Sequence, residues 1–256
     1  MQLAPLPALA DNYIWVLADD DGARALIVDP SEAGPVFTAA AAGLQPAGIL
    51  LTHHHGDHIP AEPDLLARWP GLPVFAPDDD RIPTAYRRVR GGESVEVAGW
   101  RFDVLAVPGH TRSHVAFHGH GLLFCGDTLF SLGCGRMFEG TAEQMHGSLS
   151  RLAALPPETR VCCGHEYTLA NAAFALVVEP GNPALQRRFE EAKAMRENGR
   201  PTLPSTLADE RAANPFLRVA TPGVRASLAR EAAGRVPADD VAAFAALRRW
   251  KDGFTA

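Results

Sequence analysis

Thr52-His53-His54-His55-Gly56-Asp57-His58 follows directly on the apolar run Ile49–Leu51. Histidine nitrogen and carboxylate oxygen suit zinc and other first-row metals. In extended backbone, residues i and i+2 point to the same side, so His53 and His55 can share one ion while His54 points away. Gly56 lets the chain turn, which leaves Asp57 and His58 to present a second pair. Two ions need further ligands, and three stand at the ends of predicted strands. His110 lies in Pro108-Gly109-His110-Thr111, Asp127 in Gly126-Asp127-Thr128, and His165 in Cys163-Gly164-His165-Glu166. A single such residue is ordinarily a surface or capping group. The compact H-x-H-x-D-H spacing together with three strand-end ligands reads as a metal site. His114, His118, His120 and His146 read as structural or exposed.

Around these residues the first two-thirds of the chain alternate short apolar runs with turns. Strands are expected at Tyr13–Leu17, Ala25–Val28, Ile49–Leu51, Val74–Ala76 and Val95–Val97, and again at Phe102–Val107, Val115–His118, Leu122–Cys125 and Val161–Cys163. Val36–Ala42 and Pro63–Trp69 read as helices, and Thr141 opens a third through Met145, Leu149 and Leu152. The mixture suits a layered α/β protein. After His165 no strand-like alternation remains. Leu169–Val178 and the set Leu185, Phe189, Ala192 and Met195 have helical spacing, and Asp239 can cap a last helix carrying Val241, Phe244 and Leu247. The boundary is expected at 165/166, giving a domain of residues 1–165 and a helical domain of residues 166–256.

Composition narrows the function. Apolar residues at 46% and charged residues at 21% are ordinary for a globular chain, which argues against disorder and coiled coil. The apolar stretches Tyr13–Ala18 and Ala39–Ala42 fall well short of the roughly 20 residues that a spanning helix needs, so no membrane partner is expected. Residues 1–165 carry 11 Lys and Arg against 19 Asp and Glu. So acidic a body argues against nucleic acid. The helical end is slightly basic, compatible with holding a small anion. Four cysteines without a C-x-x-C pair fit reduced thiols and a cytoplasmic location.

Other segments add to the metal motif: Asp11-Asn12-Tyr13, Gly126-Asp127-Thr128-Leu129-Phe130, Gly133-Cys134-Gly135-Arg136 and Glu139-Gly140-Thr141. Cys163-Gly164-His165-Glu166-Tyr167-Thr168, Glu179-Pro180-Gly181-Asn182 and Asn214-Pro215-Phe216-Leu217-Arg218 follow, with Arg248 and Lys251 near the end. Through these residues the chain resembles the metallo-β-lactamase superfamily and, within it, the hydroxyacylglutathione hydrolase (glyoxalase II) family, over essentially its whole length. The resemblance implies an α/β fold, a metallo-β-lactamase-like αββα sandwich followed by a small all-helical C-terminal domain. It implies two divalent metal ions, zinc ahead of iron or manganese. His53, His55 and His110 would bind the first, Asp57, His58 and His165 the second, and Asp127 would bridge them. Asp29, in Val28-Asp29-Pro30, matches a position that supports the metal loop from behind; it reads equally well as a strand-ending turn residue. Arg136, Tyr167, Arg248 and Lys251 match positions that contact glutathione, and Phe138 stands where some members carry Tyr. A second departure is Ile59-Pro60-Ala61-Glu62, where members commonly have a Gly-Gly pair.

The implied reaction is hydrolysis of the thioester of an S-(2-hydroxyacyl)glutathione, such as S-D-lactoylglutathione, to glutathione and D-lactate in methylglyoxal detoxification. Asp57 and Asp127 would be catalytic, with a metal-bridging hydroxide attacking the carbonyl. A thiol of pKa about 8.5 leaves as thiolate without a dedicated acid, and Cys134 belongs to a tight loop rather than serving as nucleophile. The partner would be the small-molecule thioester and the state monomeric. A lactonase, phosphodiesterase or di-iron oxidoreductase on the same fold is the alternative, as is a metal-binding protein without activity. A di-iron enzyme would usually place Glu where His55 stands. The Gly-His-Glu-Tyr-Thr segment with a helical tail favours the thioesterase.

Overall fold

The computed structural model describes residues 1–255; Ala256, the last residue of the expected helical domain, lies outside the described residues. The contacts divide the chain into two compact units. The first holds Met1–Ala106, Ser113–Gly126 and Cys162–His165. The second holds Val107–Arg112, Asp127–Val161 and the chain from Glu166 onward.

The first unit opens with β1 (Gln2–Ala8), β2 (Asn12–Ala18) and β3 (Ala25–Val28). Helix α1 (Ala33–Ala41), β4 (Pro46–Leu50), helix α2 (Glu62–Arg68), β5 (Val74–Pro77) and β6 (Arg87–Val89) follow. These six strands form one sheet in sequence order, antiparallel through β3 and parallel from β3 to β6. Parallel neighbours require crossovers, and α1 and α2 supply two of them. Val36 of α1 and Leu65 of α2 share one buried cluster with Ile14, Val16, Ile27 and Ile49. The carboxyl ends of β3 and β4 therefore open at one edge, the usual place for ligands in such sheets. Asp29 follows β3, and Thr52–His58 follow β4.

The same unit contains a second sheet, a meander of β7 (Ser94–Val97), β8 (Trp100–Ala106), β9 (Val115–Gly119) and β10 (Leu122–Gly126). Ala98-Gly99 and His120-Gly121 all have positive φ, the signature of tight two-residue hairpins. His120 is thus a turn residue. The two sheets touch at Gly48 of β4, where a Cβ would lie 2.2 Å from Val97 Cγ2.

The second unit contains β11 (Leu129–Phe130), β12 (Gly133–Cys134) and helix α3 (Ala142–Ala153), opened by a reciprocal Thr141–Gln144 capping box. Strand β13 (Arg160–Cys163) begins in this unit and ends in the first. Next come α4 (Thr168–Val178), α5 (Pro183–Glu197), β14 (Ser205–Thr206), α6 (Leu207–Ala213), α7 (Pro222–Glu231) and α8 (Asp240–Asp252). Asp239 caps α8 by accepting from Ala242 N at 2.7 Å.

The chain after His165 is helical with one correction to the all-helical expectation. Ser205-Thr206 pair with Arg160-Val161. Strands β1 and β6 were not expected either. Pro5 and Pro7 argue against a central strand, but β1 is an edge strand and tolerates them. Among the described residues no helix is long and apolar enough to cross a membrane.

Glu62, at the start of α2, is buried at 2% exposure. Burial, with the nearby Asp29 charge, pushes its carboxyl up to about 8. The folded chain therefore keeps a proton that the unfolded chain releases, from the ordinary value of 4.5 up to about 8. Stability contributed by the neutral acid is complete below 4.5 and falls as pH rises through this window, by at most ~1.4 kcal/mol per pH unit. Glu62→Gln should remove that slope. Denaturant titrations at pH 5 and pH 8.5 should find it close to wild type at pH 5 and more stable at pH 8.5; equal stability at both would contradict the assignment.

Candidate metal centre

In the first unit, Asp57, His58 and His165 each offer a ligand atom within 4.8 Å of the other two. His58 Nε2 lies 3.3 Å from His165 Nε2 and 3.7 Å from Asp57 Oδ2, which is 3.4 Å from His165 Nε2. The opposite ring nitrogens are engaged elsewhere. His58 Nδ1 donates to Asp29 Oδ2 at 3.2 Å, and His165 Nδ1 to Asp11 Oδ1 at 2.8 Å. A neutral imidazole that donates from Nδ1 carries its lone pair on Nε2. Two lone pairs and a carboxylate oxygen thus converge, an arrangement that repels itself unless a cation sits among them. Tetrahedral ligands about 2.0–2.1 Å from zinc stand roughly 3.3–3.4 Å apart, close to these separations. The donor set fits a divalent ion.

Local backbone explains the convergence. His58 N donates to His55 O at 3.0 Å, closing the turn that Gly56 permits. His165 follows β13, where Gly164 is pinned between Tyr13 N (2.8 Å) and Gly126 O (3.0 Å). Asn12 Nδ2 donates to Asp57 O at 3.0 Å and to Asp57 Oδ2 at 3.3 Å.

His53 is fixed by the same device. Its Nδ1 meets Thr52 Oγ1 at 3.0 Å, and that hydroxyl donates to Asp29 Oδ2 at 2.7 Å. Asp29 Oδ1 accepts from Thr52 N at 2.8 Å. Asp29 lies within ligand distance of His53 and His58, and its oxygens accept from Thr52 and His58. The His53 ring stacks on His114 at 4.5 Å and stands edge-on to His55 at 4.7 Å. His114 is buried there, and His54 Nδ1 lies 3.5 Å from Asp79 Oδ2.

His110 and Asp127 belong to the second unit. His110 Nδ1 donates to Arg136 O at 2.7 Å, and its Nε2 faces Asp127 Oδ2 at 3.4 Å. This pair repeats the pattern of the first unit, a lone pair against a carboxylate. Phe138 is exposed, with its ring edge-on to His110 at 5.2 Å. Tyr167 stands edge-on to Phe130 at 5.2 Å.

The predicted glutathione contacts lie in the second unit as well. Arg136 Nε is 3.6 Å and Arg248 Nη2 3.1 Å from Asp252 Oδ1. Arg248 is buried; it donates to Cys134 O at 2.8 Å and lies over the Phe216 ring. Lys251 Nζ donates to Ala170 O at 3.1 Å, and burial together with Arg248 and Arg136 holds its ammonium below the usual lysine range. Three cations around one carboxylate leave a local positive excess. Burial pushes the Cys134 thiol up to about 11, which keeps it protonated at neutral pH and unsuited to nucleophilic attack. The sequence pattern points to no individual role for Asp11, Asn12 or Thr52; the polar pair Asp11-Asn12 where the buried strand β2 begins is the one signal for them.

Residues 10–165 match the family model of the metallo-beta-lactamase superfamily, and residues 166–254 that of the hydroxyacylglutathione hydrolase C-terminus. The first match defines the class, an α/β metallo-β-lactamase fold followed by a helical segment. BLEG-1 B3 metallo-beta-lactamase shares this fold at a TM-score of 0.61 and 24% identity, covering 84% of this chain and 98% of its own. ETHE1 from Myxococcus xanthus gives a TM-score of 0.59 at 28% identity, covering 92% and 100%. Hydroxyacylglutathione hydrolase of Xanthomonas axonopodis pv. citri (strain 306) is 60% identical over 257 residues, covering 100% of both chains. That of Xylella fastidiosa (strain M23) is 58% identical over 254 residues, covering 99% of this chain and 98% of its own. The chain belongs to the hydroxyacylglutathione hydrolase family of the metallo-β-lactamase superfamily.

Groups that orient metal-bound histidines typically contribute 10- to 100-fold to metal affinity. Asp11→Ala should therefore weaken one metal equivalent by at least tenfold, measured by chelator competition, while the far-ultraviolet circular dichroism stays unchanged. Wild-type affinity for every equivalent would show that Asp11 does not position His165.

Proposed function

We propose that the chain hydrolyses the thioester of S-(2-hydroxyacyl)glutathione, releasing glutathione and a 2-hydroxy acid, with S-D-lactoylglutathione as the substrate in methylglyoxal detoxification. The observation that carries this reading is identity near 60% running through both the metal-ligand segment and the helical segment. In this reading residues 1–165 are the catalytic domain and residues 166–256 the substrate-binding domain. The match limits of 10–165 and 166–254 support that division.

Two divalent ions are proposed, zinc ahead of iron or manganese. His53, His55 and His110 would hold one, Asp57, His58 and His165 the other, with Asp127 shared. Such ions supply Lewis acidity, which polarises a carbonyl and lets water act as a nucleophile at neutral pH. The protein's part is orientation. Thr52, Asp29, the Arg136 carbonyl and Asp11 keep the Nδ1 atoms of His53, His58, His110 and His165 engaged, which would turn each Nε2 toward an ion. Asp57 and Asp127 supply the negative charge that compensates two cations.

Recognition falls to the cationic cluster. Glutathione carries two carboxylates, and Arg136, Arg248 and Lys251 with the single Asp252 leave positive charge for them. Tyr167 and Phe138 complete the proposed substrate contacts. The chain is proposed to act as a cytoplasmic monomer, a location that the four free cysteines support.

The direct test is a thioesterase assay with S-D-lactoylglutathione alongside elemental analysis of the same sample. No turnover by fully metal-loaded protein would refute the reading. Within that assay, Arg136→Ala with Lys251→Ala should raise KM by the equivalent of about 1–3 kcal/mol while changing kcat little, and the effect should shrink as salt is added. His55→Ala should instead collapse kcat. Unchanged KM in the folded double variant would place the glutathione site elsewhere.

A further inference from the structure

The hairpin β11–β12 carries both things that set the His110–Asp127 pair. Asp127 lies on its incoming arm, and Arg136, whose carbonyl accepts from His110 Nδ1, on its outgoing arm. Gly135 N closes the base on Thr128 O at 3.2 Å. The arms are so close that a Cβ at Gly135 would lie 1.9 Å from Asp127 O. Two-residue strands cannot hold such a geometry alone. At the tip, Leu132 has φ +59°, a conformation unfavourable for a side chain with a Cβ.

What holds the hairpin is buried polar groups of the helical segment. Glu210 Oε2 accepts from Leu132 N at 2.8 Å. Asn214 Nδ2 donates to Phe130 O at 3.1 Å, to Gly133 O at 2.9 Å and to Glu210 Oε2 at 3.1 Å. Asn171 Nδ2 donates to Ser131 O at 3.1 Å. Glu210 and Asn214 are fully buried, and the Leu132 side chain packs with Ala172, Ala175, Leu185 and Ala213. Without Asn214, the Phe130 and Gly133 carbonyls would each lose a buried donor.

We propose that Asn214 and Glu210 are positioning residues for the Asp127–His110 ligand pair, acting through the β11–β12 hairpin. The inference rests on the binuclear reading above. It gives the helical segment a second role besides binding substrate: it sets the shared carboxylate.

The test compares metal uptake by wild type, Asn214→Ala, Asn171→Ala and Glu210→Gln, using zinc titration against a chelator and the visible spectrum of the cobalt-substituted protein. Val224→Ala, a buried truncation on α7 distant in sequence from the hairpin, controls for general loss of stability. Wild type should take up two equivalents. Asn214→Ala should lose 10- to 100-fold in affinity for one of them with an altered cobalt spectrum, and Asn171→Ala should show a smaller loss of the same kind. Glu210→Gln keeps an acceptor for Leu132 N and should retain both ions. Val224→Ala should melt earlier yet bind two ions with wild-type affinity. If Asn214→Ala does not fold by circular dichroism, Asn171→Ala decides. Two ions bound as tightly as in wild type by folded Asn214→Ala and Asn171→Ala, or equal metal loss in Val224→Ala, would overturn the proposal alone. A single equivalent in wild type would overturn the binuclear reading and the proposal with it.

Discussion

The Asp29 carboxylate is the point from which the Thr52–His58 loop takes its shape. It follows β3 with φ +51°, a left-handed conformation that Asp tolerates better than most residues. From there one oxygen holds the Thr52 amide, and the other holds both the Thr52 hydroxyl and His58 Nδ1. Thr52 passes the constraint to His53. A single buried acid thus fixes the start of the loop, two imidazole orientations and two tautomers. The parallel pairing of β3 with β4 brings these groups to one edge of the sheet.

The same solution recurs at two further imidazoles. His165 leans on Asp11, and His110 on the Arg136 carbonyl. Each partner accepts from Nδ1 and leaves Nε2 without its proton, open to a proposed ion. Such fixed rings lose little freedom when an ion arrives, so the cost of assembling the site is met during folding. Asn214 and Glu210 extend this logic to a carboxylate, because a hairpin with so few strand residues needs outside support.

Local spacing made much of this legible in the sequence. H-x-H-x-D-H encodes its side-chain directions in consecutive residues, and Gly56 marks the turn between the two pairs. Thr141 and Asp239 announce their helices because capping depends on neighbours within four residues. Features that depend on distant partners were not legible. Asp11 looks like any exposed turn residue until the fold brings His165, 154 positions away, against it. Arg248 reads as a cation at the end of a helix, yet its guanidinium is buried against Cys134, 114 positions upstream. Nothing in the letters Ser131-Leu132 signals a positive φ, since Leu is a poor residue for it and helix packing imposes it. Strand β1 was hidden by its prolines, which only its edge position excuses.

These hydrogen bonds preset the histidine tautomers before any metal binds. Long-range proton–nitrogen correlation spectra of uniformly labelled protein, recorded with and without zinc, read the tautomer of each ring directly. His53, His58, His110 and His165 should carry the proton on Nδ1 in both samples, with zinc shifting only their Nε2 resonances. Rings that in the metal-free sample carry the proton on Nε2, or exchange between tautomers, would contradict this presetting.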